Sequence, residues 1–188
     1  MERILLSLEE KKFLYDFISF NAYFFQKLIW KEGMYMIEQD TVRLLRECDA
    51  GIEMGIDAIK EVEDAVHSQE LRQMLVRCKG EHAKLQKEIQ GLLARYQDDG
   101  KAPNLIAKGM SWIKTNVMLA MDESDETIVD LMTDGCNMGV KSLQKYLNQY
   151  TAADEVSKNI AKRLIHLEAK LAEDMRRIIR NPMYKGTV

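Results

Sequence analysis

Gly51-Ile52-Glu53-Met54-Gly55-Ile56-Asp57-Ala58-Ile59 recurs 84 positions later as Gly135-Cys136-Asn137-Met138-Gly139-Val140-Lys141-Ser142-Leu143. Both copies read G-x-x-M-G, then a β-branched, a charged, a small and an aliphatic residue, and each precedes a second long helical pattern. A duplicated αα-hairpin is the simplest cause, and two such hairpins predict an all-α, antiparallel four-helix bundle with internal pseudo-symmetry. Bundles of this kind often carry metals between facing helices.

Outward from that repeat the pattern stays helical. Leu45, Cys48, Ile52, Ile56, Ile59, Val62 and Val66 form a buried stripe, predicting a first main helix capped by Asp40. Ser68 is a good cap for a second, whose seam alternates steps of four and three through Leu71, Leu75, Cys78, His82, Leu85, Ile89, Leu92 and Tyr96. Pro103-Asn104 opens an amphipathic segment with Ile106, Met110, Ile113, Val117 and Met121 on one stripe. Ser124 caps the third main helix, whose inward residues are Ile128, Leu131, Met132, Leu143, Tyr146, Leu147 and Tyr150. Thr151-Ala152-Ala153-Asp154 resembles a capping box and leads into Val156, Ile160, Leu164, Leu167, Leu171, Met175 and Ile178. Asn181-Pro182 stops that helix. The link from Gln97 to Glu123 is long enough for the second hairpin to cross the bundle.

Composition narrows the function. Lys and Arg (27) nearly balance Asp and Glu (30) and are interleaved with them, which gives no basic stripe for nucleic acid. Cys48, Cys78 and Cys136 are an odd number at no metal-ligand spacing, and all fall at apolar positions. They read as reduced core thiols of a cytoplasmic protein. Asp16, Asn21, Gln26 and Lys27 interrupt the apolar run Phe13–Trp30, which argues against a membrane span.

At this point the chain resembles a bacterial ferritin-like four-helix-bundle family, itself a domain of unknown function. The resemblance covers about 37–179. It rests on Asp49-Ala50-Gly51-Ile52-Glu53, on Trp112 followed by an acidic turn, and on Asp134-Gly135-Cys136 leading to Tyr146. It implies the fold and a helical crossover, and says little about activity.

A dinuclear site in such a bundle needs a Glu from each of two helices and a Glu-x-x-His from each of the other two. Here Glu53 has Asn137 as its repeat mate and Asp57 has Lys141. No Glu-x-x-His occurs; Asp64-Ala65-Val66-His67 is the nearest form and lies at a helix end. The expectation is therefore no catalytic, cofactor or metal site, with His82 a hydrogen-bonded core residue. A remnant site using Glu53 and His82 is the sharpest alternative. The four glycines of the repeat each cost roughly 0.5–1 kcal/mol inside a helix. Close approach of the first and third helices is the expected compensation, with Met54 and Met138 filling gaps.

The reading is a non-enzymatic bundle acting through protein contacts or self-association, as a homo-oligomer or with a protein partner. The alternative is a metal-binding or redox protein with a reduced site. Peripheral membrane contact through residues 8–30 is the third reading.

Residues 1–36 stand apart from the bundle of 37–181 and the tail of 182–188. They hold all five Phe, and Ser7-Leu8-Glu9-Glu10 has capping-box form. Two readings are open. Lys31-Glu32-Gly33 can be encoded by AAG-GAG-GG, a ribosome-binding sequence read in frame, which would start the native chain at Met36. The other reading is a genuine aromatic helix. The first expects Phe13, Phe17, Phe20 and Phe24 exposed, the second expects them buried.

Overall fold

The computed structural model describes residues 8–96 and 124–180, with side chains for 23, 25–96 and 124–178. Among them are four helices and no strand: α1 Leu8–Glu63, α2 Gln69–Arg95, α3 Asp125–Gln149 and α4 Glu155–Arg180. The expected 103–121 segment with Trp112, the tail, and the side chains of Phe13, Phe17, Phe20 and Phe24 lie outside the described residues.

One expectation fails at once. Asp40 does not cap a helix, because α1 runs unbroken through it for 56 residues. The stretch Lys31 to Asp40 has no Pro, and its single glycine costs only about 1 kcal/mol, too little to end a helix. Asp40 instead reaches across the bundle, where its Oδ2 accepts from the Ala152 amide at 3.1 Å. The helix ends at Glu63. Arg72 Nη1 donates to the Glu63 carbonyl at 2.9 Å, and its other Nη donates to the Val66 carbonyl. This places a cation on acceptors that a helix end leaves open.

The other caps are local. Ser68 Oγ accepts from the Leu71 amide at 3.2 Å and Ser124 Oγ from the Thr127 amide at 3.3 Å. For α4 the cap is Asp154 and not Thr151: Asp154 Oδ1 accepts from the Ser157 amide at 2.7 Å. Ser157 is consequently drawn inward and fully buried, while Val156, expected inside, is 54% exposed.

Two sets of contacts tie the hairpins together reciprocally. Asp125 at the start of α3 accepts from the His67 and Ser68 amides of the α1–α2 turn, at 2.8 and 2.7 Å. Asp40 and Thr41 of α1 accept from the Ala152 and Asp154 amides of the α3–α4 turn, Thr41 Oγ1 at 2.9 Å from the latter. These anchors make α1 antiparallel to α3. Arg163 bridges to Glu88 at 2.8 Å, with α2 antiparallel to α4. The order is thus up, down, down, up. Tyr96, after α2, donates to Asp154 at one end of the bundle, whereas α3 begins beside Ser68 at the other.

Burial follows two fixed offsets. On α1, Leu44, Leu45, Cys48, Asp49, Ile52 and Ile59 are buried, and so are the residues 84 further on, Ile128, Val129, Met132, Thr133, Cys136 and Leu143. On α2, the buried Leu71, Leu75, Cys78, His82, Leu85 and Ile89 match the buried Ser157, Ala161, Leu164, Glu168, Leu171 and Met175. That second offset is 86, because α3 runs two residues further than the equivalent part of α1.

The apolar core divides into two clusters. One gathers Val62, Leu71, Leu75, Met132, Leu171 and Met175; the other gathers Leu44, Ile52, Leu85, Ile89, Leu143 and Ile160. Their boundary is polar.

Candidate functional site

Between the two apolar clusters, α2 and α4 each contribute one polar side chain. His82 Nε2 lies 2.9 Å from Glu168 Oε1, with the imidazole 1% exposed and the carboxylate side chain 11%. His82 Nδ1 lies 2.9 Å from the Cys78 carbonyl and 3.4 Å from Cys78 Sγ. The carbonyl, one helical turn away, is the better acceptor and fixes a proton on Nδ1. A second proton then occupies the Nε2–Oε1 contact. In either placement of that proton both ring nitrogens are satisfied, as a buried histidine requires.

Burial alone lowers the His82 pKa. The hydrogen bonds with Cys78 and Glu168 and the Glu168 charge outweigh it, and the value is pushed up to about 10. The pair is therefore an imidazolium–carboxylate at neutral pH. Cys136 closes the site from α3: burial, and then the Glu168 charge, push its thiol strongly up. Both site cysteines, with Cys48, are reduced and buried, as expected from their apolar positions.

The repeat glycines make room for this pair. A Cβ on Gly55 would stand 3.1 Å from His82 Nε2 and 3.6 Å from Glu168 Oε1; one on Gly139 would stand 3.6 Å from Glu168 Cδ. Gly51 and Gly135 have open space instead. The expectation of close helix–helix approach at these glycines is corrected: the second glycine of each copy borders side chains of the pair, and a Cβ added to the first would meet nothing within 4 Å. Met138 is likewise no gap-filler, being 53% exposed.

The residues singled out for a metal disperse. Asn137 and Lys141 face outward, and Asn137 accepts from Arg176 at 3.1 Å. Asp57 pairs with Lys60 on the surface at 3.0 Å. The His67 imidazole is exposed and makes a loose 4.0 Å contact with Asp125. Glu53 lies beside Asp49 and not in the pair. Burial, and then the Glu53 charge, push Asp49 up to about 6, against a hydrogen bond to Gln86. Among the described residues, no group of three or more His, Cys, Asp or Glu side chains is placed to hold a metal ion. Glu168, the decisive partner, was missed because it lies two positions from the residue that the 84-residue repeat assigns to His82. A polar residue in the otherwise apolar series Leu164, Leu171, Met175 was the available signal.

Asp49 Oδ1 and Thr133 Oγ1 are buried without a hydrogen-bond partner. They occupy matching positions of α1 and α3.

Comparison with known proteins found no matching family model, no matching curated protein and no matching solved structure. Among the described residues, no helix is long and apolar enough to cross a membrane.

Proposed function

We propose that this chain is a ferritin-like bundle built from a duplicated αα-hairpin, working without catalysis through protein contacts in the cytoplasm. The fixed offset of buried positions within each helix pair and the reciprocal turn contacts support the duplication. The opposite ends at which α2 stops and α3 starts support a crossover link.

The observation that carries the functional reading is the His82–Glu168 pair itself. It occupies matching positions of α2 and α4, on the inward faces where a ferritin-like bundle would project metal ligands. Both imidazole nitrogens face acceptors, so the ring has no lone pair to offer a metal while the pair stands. Asn137 and Lys141, the repeat mates of Glu53 and Asp57, face outward and add no carboxylate to the pair. A scaffold closed at its centre in this way acts through its outside.

The test is elemental analysis of protein purified from cells supplied with iron and manganese, followed by an oxygen-consumption assay. The reading expects much less than one transition metal per chain and no metal-dependent oxygen uptake. Stoichiometric metal, lost on Glu168→Gln, overturns it.

A further inference from the structure

Two carboxylates are buried among the described residues, Glu168 and Asp49. Glu168 has the His82 imidazolium at 2.9 Å. Asp49 has no such partner. It is 7% exposed, its Oδ1 accepts no hydrogen bond, and no Lys, Arg or His acts on its charge. The position does not call for a charge, because its equivalent in the second hairpin is the neutral Thr133.

The surroundings fix the sign of the effect. On α1, Glu53 stands one turn further on and adds a like charge. Cys48, the neighbour on its other side, is a neutral thiol whose own ionisation burial opposes. From α2 the facing group is Gln86, an uncharged amide. His82, one turn before Gln86, is held by Glu168 and keeps its proton until about pH 10. No titratable group of α3 or α4 acts on Asp49. An ionised carboxylate here loses its hydration and meets a like charge, against one hydrogen bond to Gln86. The protonated acid sheds the charge and becomes a donor as well as an acceptor. Burial first, and then Glu53, push the Asp49 pKa up to about 6.

From this geometry we infer that Asp49 is a proton-operated latch between α1 and α2, which seals that joint when protonated and loosens it locally when ionised. The joint is the apolar cluster in which Cys48 and Ile52 of α1 meet Leu85 and Ile89 of α2. Cys48 is 0% exposed there, so its thiol reports any opening. Cys78 and Cys136 lie in the other cluster and report on the rest of the bundle. The folded pKa lies above the ordinary 3.8. The stabilisation from proton uptake is therefore complete below pH 3.8 and is lost as pH rises through about 6.

The experiment is alkylation of the full chain by N-ethylmaleimide at pH 5 and pH 7.5, with each cysteine followed by peptide mass spectrometry. Dividing the Cys48 rate by its rate in Asp49→Asn cancels the pH dependence of thiol chemistry itself. That quotient should rise on the order of 10-fold between the two pH values. The same quotient for Cys78 and Cys136 should stay flat, as local opening requires. Carboxyl ¹³C NMR of aspartate-labelled wild type, with Asp49 assigned through its backbone, is the second measurement and needs no variant to fold. Asp49 should titrate near pH 6. A Cys48 quotient that does not change with pH overturns the inference. So does a rise shared equally by all three cysteines, or an Asp49 midpoint at the ordinary 3.8.

Discussion

Replacing His82 by Leu should destabilise the fold sharply, and removing its partner as well should undo most of the damage. The imidazole is 1% exposed and makes hydrogen bonds of 2.9 Å at both nitrogens. His82→Leu leaves the Glu168 carboxylate buried at the boundary of two apolar clusters without its cation, and leaves the Cys78 carbonyl without its extra donor. Breaking a buried pair by removing one partner costs about 3–5 kcal/mol. For a chain of this length that is a fall in Tm on the order of 10 °C. In His82→Leu/Glu168→Leu no charge remains to be stranded, and the two leucines join the apolar clusters. The double variant should recover to within about 1 kcal/mol of wild type or exceed it. Urea unfolding followed at 222 nm measures all three, and the coupling energy follows from the cycle. A cost below about 1 kcal/mol for His82→Leu, with additive single variants, would refute the buried-pair account.

Further outcomes follow from the same geometry. The His82 pKa is raised from 6.5 to about 10, so its stabilisation is complete below pH 6.5 and is lost as pH rises through about 10. Wild-type stability should fall over that interval relative to the double leucine variant, as read by thermal melts at stepped pH. Gly51→Ala meets nothing within 4 Å and should stabilise by about 0.5–1 kcal/mol through helix propensity. Gly55→Ala meets His82 Nε2 at 3.1 Å and should lose that gain or turn destabilising in the same melts. Asp125→Ala strips two turn amides of their acceptor and should cost about 1–2 kcal/mol in urea unfolding. Mass spectrometry of the endogenous protein separates the two readings of residues 1–36: a peptide spanning Phe13 to Phe25 refutes a start at Met36, and its consistent absence, with an N-terminal peptide beginning at Met36, refutes the genuine aromatic helix.

Helix periodicity made most of the bundle legible. The stripes of α1 and α2 and the Ser68 and Ser124 caps were readable because an apolar face and a side-chain oxygen at a helix start are local signals. Asp40 misled because a capping side chain says nothing about whether the backbone before it is already helical; tertiary contact with Ala152 used that carboxylate elsewhere. The site was half legible. His82 stood out in its seam, but its partner required knowing that α3 is two residues longer than its counterpart, which shifts α4 against the repeat. Which glycine of each pair borders a side chain is likewise a question of azimuth, and the G-x-x-M-G spelling does not encode it.

The most direct measurement is the ¹⁵N spectrum of the ring nitrogens in histidine-labelled protein, with His82 assigned among three histidines by loss of its signals in His82→Leu. The account predicts that both His82 nitrogens resonate as an imidazolium at pH 7 and titrate only near pH 10. A His82 ring that is neutral at pH 7 and titrates near the ordinary value of about 6.5 would contradict it.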